Sequence, residues 1–126
     1  METQKKGFFK VIKSFSYAFN GFRIFFKEEL NAKVHFVIAI AIIFCGFAFK
    51  ISVTEWIAII FAIGLVLSLE LINTAIEQIA NFISPEKHEK IKRIKDLAAA
   101  SVVIGVIAAV IVGLIIFLPK IIILAF

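Results

Sequence analysis

Four stretches of hydrophobic pattern follow one another along the chain, and they differ in period. Over residues 8–31, Phe8, Val11, Ile12, Phe15, Ala18, Phe19, Phe22 and Phe25 recur at steps of three and four, while Lys13, Ser16, Asn20, Arg23 and Lys27 fall on the other side. That spacing predicts an amphipathic helix. Basic residues opposite phenylalanines suit a helix lying in the headgroup plane of a bilayer, and by itself such a helix is an interfacial anchor. Val34 to Phe49 is apolar apart from His35. With a snorkelling Lys33 it predicts a first membrane span over 33–50. After the connector Lys50–Glu55, Trp56 stands at the depth indoles prefer and begins a second span, 56–83. Ser84-Pro85 ends it, because the residue before proline is pushed out of the α region. A charged stretch, Glu86 to Asp96, leads into Leu97–Leu118, an uninterrupted charge-free run that predicts a third span over 97–118. Pro119-Lys120 is expected to close it. The pattern describes an all-α integral membrane protein: an N-terminal amphipathic surface helix plus three transmembrane helices, in a single domain of residues 1–126.

Composition agrees with that picture. The 126 residues are 62% hydrophobic with a mean hydropathy of +1.05, and a soluble domain this small could not hide so much apolar surface. The lone Cys45 excludes a disulfide framework or a thiolate metal cluster. A net charge of +5 would permit nucleic-acid binding, but the basic residues sit beside the apolar spans. Lys5, Lys6, Lys10, Lys13, Arg23, Lys27 and Lys33 precede the first span, and Lys87, Lys90, Lys92, Arg93 and Lys95 lie between the second and third. Only Lys50 and Lys120 fall on the other side. This asymmetry is the positive-inside signature, so the N-terminus and the 84–96 stretch are expected in the cytoplasm and no nucleic-acid partner is expected. No small-residue cleavage site follows the first apolar run, so a cleavable leader is not expected.

The chemistry concentrates in Glu70-Leu71-Ile72-Asn73-Thr74-Ala75-Ile76-Glu77. Offsets of three and seven put Glu70, Asn73 and Glu77 on one helical face. An ionised carboxylate near mid-bilayer costs about 2.5–3.5 kcal/mol, so two on one stripe call for a partner cation, a partner helix or a wet cleft. Glu28 and Glu29, before the first span, and Lys95-Asp96, before the third, can approach the stripe from the same side. Carboxylates without His or Cys among them suit a hard cation such as Mg²⁺, and lysines suit phosphate. These are the parts of a phosphoryl-transfer site, although the chain has neither a P-loop nor a GxGxxG loop. Two non-enzymatic readings compete: a cation pathway around Glu70 and Glu77, or a scaffold whose acids pair with a neighbour's lysines. A pathway would need polar groups through the whole bilayer, whereas Trp56 to Leu69 offers only Ser68.

Glu70-x-x-Asn73-Thr74-Ala75-Ile76-Glu77, followed by Lys95-Asp96 and Ala98-Ala99-Ala100, resembles the signature of the bacterial diacylglycerol kinase family. Glu29-x-Asn31-x-Lys33-Val34-His35 is similar to the form found in its undecaprenol kinase branch, with Ala32 in place of the aromatic often seen there. The resemblance covers nearly the whole chain. It implies an ATP-dependent kinase of the bacterial inner membrane that phosphorylates the hydroxyl of diacylglycerol or undecaprenol, working as a homotrimer with sites shared between neighbours. It further implies that Glu70 is the general base, that Asn73 orients the reacting groups, and that Glu29 and Glu77 hold Mg²⁺ against the ATP phosphates. Tyr17, Lys95 and Asp96 would contact the nucleotide, and Glu86 and His88 match nucleotide-binding positions. Lys10 stands where a relative has Arg, which keeps the charge and loses the bidentate fork. Asn81 replaces an acid common in relatives one turn after Glu77, so a third acidic ligand is not expected. For His35 the expectation is a hydrogen bond at the helix end.

Overall fold

The computed structural model describes residues 1–86 and 88–126, and the chain folds as four helices: α1 (Glu2–Glu28), α2 (Leu30–Ala48), α3 (Val53–Ile83) and α4 (Glu89–Ala125). Lys87, counted above among the basic residues, lies outside the described residues. Helices α2, α3 and α4 are each long and apolar enough to cross a membrane. Even α2, with 19 residues, reaches about 28 Å, close to the ~30 Å of a hydrocarbon core. Helices α3 and α4 contain the expected 56–83 and 97–118 stretches, whereas α2 stops at Ala48, two residues short of the expected 33–50.

The helix ends differ from the periodicity in informative places. The first helix stops at Glu28, not at residue 31, because Glu29 is extended (φ −103°, ψ 118°) and serves as the N-cap of α2. Phe25, 2% exposed, and Ala32 close the inside of this joint, and Phe26 meets Phe36 edge-on at 5.2 Å. At the far end of α2 the chain turns through a Schellman motif: Ile51 N–H donates to Gly46 O, and Lys50 N–H to Phe47 O. Lys50 takes the left-handed position with φ 50°. Helix α3 then starts at Val53, before Trp56, because Ser52 and Glu55 form a reciprocal capping box. The Ser-x-x-Glu spacing that encodes it is plain in the sequence.

Pro119 does not end the last helix, contrary to expectation; α4 continues to Ala125. A proline there removes one N–H and crowds the carbonyl four residues earlier. Beside it, Lys120 Nζ donates to the Ile116 carbonyl at 3.2 Å and to Glu55 Oε2 at 2.6 Å, which ties this end of α4 to α3. The charged stretch is also helical from Glu89 onward, so the 97–118 run lies inside a longer rod.

Helices α3 and α4 form the most extensive pairing in the chain. Glu55 faces Lys120, Leu69 fills the space a Cβ on Gly105 would need, and Asn81 meets Lys95. These three contacts hold one antiparallel register from end to end. The apolar core, Ile51, Ile59, Ile116 and Phe117, gathers at the Glu55–Lys120 end. The Asn81–Lys95 end carries the polar side chains.

Candidate active site

Glu70 is the most buried charged side chain, with the residue 4% exposed, and Thr74 one turn on is also buried. They share a face of α3 with Asn73 and Glu77, as helical spacing requires. Within this stripe Asn73 Nδ2 donates to Glu77 Oε1 at 3.3 Å. The other amide atom, Asn73 Oδ1, is buried without a partner. Across from the stripe, in the second turn of α2, His35 Nε2 stands 3.0 Å from Glu70 Oε1.

The remaining candidates fall into two groups. Near the α3–α4 connection, Lys95 donates to Asn81 Oδ1, so the residue that replaces an acid receives a lysine. Asp96 pairs with Lys92 at 2.8 Å, both side chains more than half exposed, which makes this a weak contact. His88 is the N-cap of α4, accepting at Nδ1 from Lys90 N–H at 3.1 Å. The exposed Glu86 contributes its carbonyl to Ser84 Oγ. This group lines a depression of about 520 Å³ through Glu86, His88, Lys92 and Lys95.

The second group lies on or beside α1. Glu29 is half-buried at the joint, and among the described residues its side chain makes no hydrogen bond or ion pair. Tyr17 and Lys10 are exposed on α1; measured along the helix they are about 18 and 28 Å from Glu29 at 1.5 Å per residue. One chain therefore joins Glu70 to His35, Asn73 to Glu77 and Asn81 to Lys95, and it does not tie these to Tyr17 or Lys10.

An apolar groove of about 350 Å³ opens between α2, α3 and α4. Ala39, Val66, Ala109, Gly113 and Phe117 line it, and among the described residues His35 is the only polar side chain in its wall. On α4 the space beside Gly105 is occupied by Leu69 of the same chain. The sequence reading missed the His35–Glu70 pairing. The signal was present: each is an ionisable residue inside a predominantly apolar spanning helix.

Among the described residues no three His, Cys, Asp or Glu side chains gather as a metal cluster. The donor set nevertheless fits Mg²⁺, which is commonly held by one or two protein oxygens together with water and substrate phosphates. The Glu77 carboxylate and the unpartnered Asn73 Oδ1 offer such oxygens on adjacent turns.

The family model for prokaryotic diacylglycerol kinase matches residues 16–117. The chain belongs to that family. The match takes in every candidate residue except Lys10. An undecaprenol kinase of Bacillus subtilis is 40% identical over 111 residues, covering 88% of this chain and 90% of that protein. A diacylglycerol kinase of Synechocystis is 33% identical over 110 residues, covering 86% of this chain and 63% of that longer protein. The diacylglycerol kinase of Escherichia coli K12 is 29% identical over 111 residues, covering 88% and 91%. As a prokaryotic diacylglycerol kinase family member the chain is a lipid kinase, and the cation-pathway and scaffold readings give way to an enzyme.

Proposed function

We propose that this enzyme transfers the γ-phosphoryl group of ATP to the hydroxyl of a membrane lipid alcohol, undecaprenol or diacylglycerol, at the cytoplasmic face of the bacterial inner membrane. The observation that carries this reading is a buried carboxylate, Glu70, held against the one polar residue at the wall of an apolar groove. A lipid chain lying in such a groove brings its head hydroxyl to Glu70. The hydroxyl oxygen attacks the γ-phosphorus, its proton passes to the Glu70 carboxylate, and the bond to ADP breaks. Phosphoryl transfer asks for little beyond in-line placement and charge neutralisation.

Asn73 orients the reacting groups. Glu29 and Glu77 would hold Mg²⁺, with Asn73 Oδ1 next to Glu77 as a further oxygen. When bound, the ion neutralises charge on the transferring phosphate. Lys95, Asp96, Glu86 and His88 receive the nucleotide at the α3–α4 connection. Tyr17 and Lys10 belong to the same nucleotide site, and α1 lies along the membrane surface as a cover. The separation of α1 residues from the α3 stripe within one chain supports a homotrimer whose sites combine residues of neighbouring subunits.

The Glu29-x-Asn31-x-Lys33-Val34-His35 segment, together with the higher identity to the undecaprenol kinase, favours the polyprenol. An apolar groove discriminates weakly, at about 0.8 kcal/mol per methylene, so activity on both lipids is expected. The test offers both acceptors in mixed micelles with ATP and Mg²⁺ and compares kcat/KM. A preference for undecaprenol above about tenfold, roughly 1.4 kcal/mol, supports the polyprenol reading. An equal preference for diacylglycerol reverses it, and a folded protein that phosphorylates neither lipid overturns the acceptor assignment.

A further inference from the structure

We infer that His35 is a positioning residue for Glu70: its imidazole stands against one carboxylate oxygen and leaves the other for the acceptor hydroxyl. This rests on Glu70 being the base of a lipid kinase. His35 Nε2 and Glu70 Oε1 are 3.0 Å apart, and the two side chains are 22% and 6% exposed. Among the described residues Glu70 makes no side-chain hydrogen bond and no other ion pair. A carboxylate this buried is poorly solvated, and a single close polar neighbour then governs which way it points.

The pairing also explains why a histidine suits this place. Imidazole supplies an N–H while uncharged. A lysine here would bring a fixed cation, which holds a carboxylate ionised and weakens it as a proton acceptor. His35 leans on Glu70 from α2, only six residues beyond the Glu29 joint, and it lines the apolar groove. It therefore stands where the groove ends and the base begins. In the transfer step the hydroxyl O–H bond breaks as the O–P bond forms. The proton goes to the free Glu70 oxygen while the other stays against the imidazole, so nothing is exchanged at His35.

His35→Ala should lower kcat by up to on the order of 10²-fold, the size expected when a reacting group loses its orientation, and should leave KM for ATP near its wild-type value. His35→Gln carries an amide N–H close to the position of Nε2, and it should recover most of the lost kcat. The chain has two histidines, so the imidazole ¹⁵N signals of His35 can be assigned with His88→Ala. Those signals should move in Glu70→Gln and stay in place in Asn81→Ala.

A His35→Ala enzyme that keeps kcat within about twofold overturns the inference. So does a loss that His35→Gln does not repair and that parallels a fall in thermal stability, since that pattern belongs to packing. His35 signals unmoved in Glu70→Gln also overturn it. A folded wild type that phosphorylates neither undecaprenol nor diacylglycerol instead overturns the acceptor assignment, and the catalytic role of the pairing with it.

Discussion

A carboxylate 4% exposed within an apolar helix is costly to keep charged, and Glu70 meets that cost with a single imidazole. The other stripe residues are less buried and partner each other, as Asn73 does with Glu77. On the proposed mechanism this division would separate a base, which needs an oriented oxygen, from metal-holding oxygens, which need access to water and phosphate. Glu70→Gln keeps the size of the side chain and removes the proton acceptor. We expect kcat to fall by on the order of 10²–10⁴-fold with Mg-ATP binding and thermal stability close to wild type. Turnover near normal in the folded variant would remove Glu70 from the role of base. The residue types were legible in the sequence, because ionisable groups inside spans stand out. Their pairing was not: the link from Glu70 to His35 crosses from α3 to α2, and helical spacing orders only residues on one helix.

At the scale of elements, short motifs set where each rod begins and ends. The α2–α3 connection combines a Schellman turn with a capping box, which lets two spanning helices reverse direction within four residues, Phe49–Ser52. Its weak point is Lys50, a non-glycine residue at φ 50°. A left-handed conformation costs an L-residue about 1–2 kcal/mol. Lys50→Gly should therefore raise unfolding stability by about 1 kcal/mol, after the entropy that glycine adds to the unfolded chain is counted. Unfolding in mixed micelles with a denaturing detergent measures this, and a less stable Lys50→Gly protein would contradict the account. Trp56 and Pro119 were weaker guides than they looked. The indole packs on Gly46, where an added Cβ would come within 2.6 Å of the ring, so it marks a helix crossing and not the helix start. Pro119 lies six residues before the end of α4 and is tolerated there, with Lys120 bracing the adjacent turn.

The whole molecule leaves most of each spanning helix uncovered: between 17% and 22% of the residues in each apolar window are buried. Lipid can cover the apolar remainder, but lipid supplies no ligands to complete a site. Among the described residues Glu29 has no side-chain partner within one chain, whereas Glu70 and Glu77 are already engaged. If neighbouring subunits share sites, two inactive variants should complement each other. Mixing Glu29→Gln with Glu70→Gln subunits in equal amounts and letting them reassemble should restore about a quarter of wild-type activity, because half the positions of each kind are intact and must coincide across an interface. No recovery on mixing would mean that each subunit builds its own site.

The sequence by itself determined the number of spans, the acidic stripe and the family, all of which rest on local pattern: hydrophobic run length, a three-to-four-residue period and a contiguous motif. Those signals survive in one dimension because a helix satisfies its own backbone and keeps near neighbours on one face. Only the tertiary structure decided the antiparallel register of α3 on α4, the groove beside α2, the engagement of Gly105 by Leu69 and the meeting of His35 with Glu70. Each depends on how one helix is rotated and shifted against another, and that is set by the interlocking of side chains far apart in the chain. Leu69 seats against Gly105 because only a missing Cβ leaves room for it, and that fit carries the polar end of α4 to Asn81.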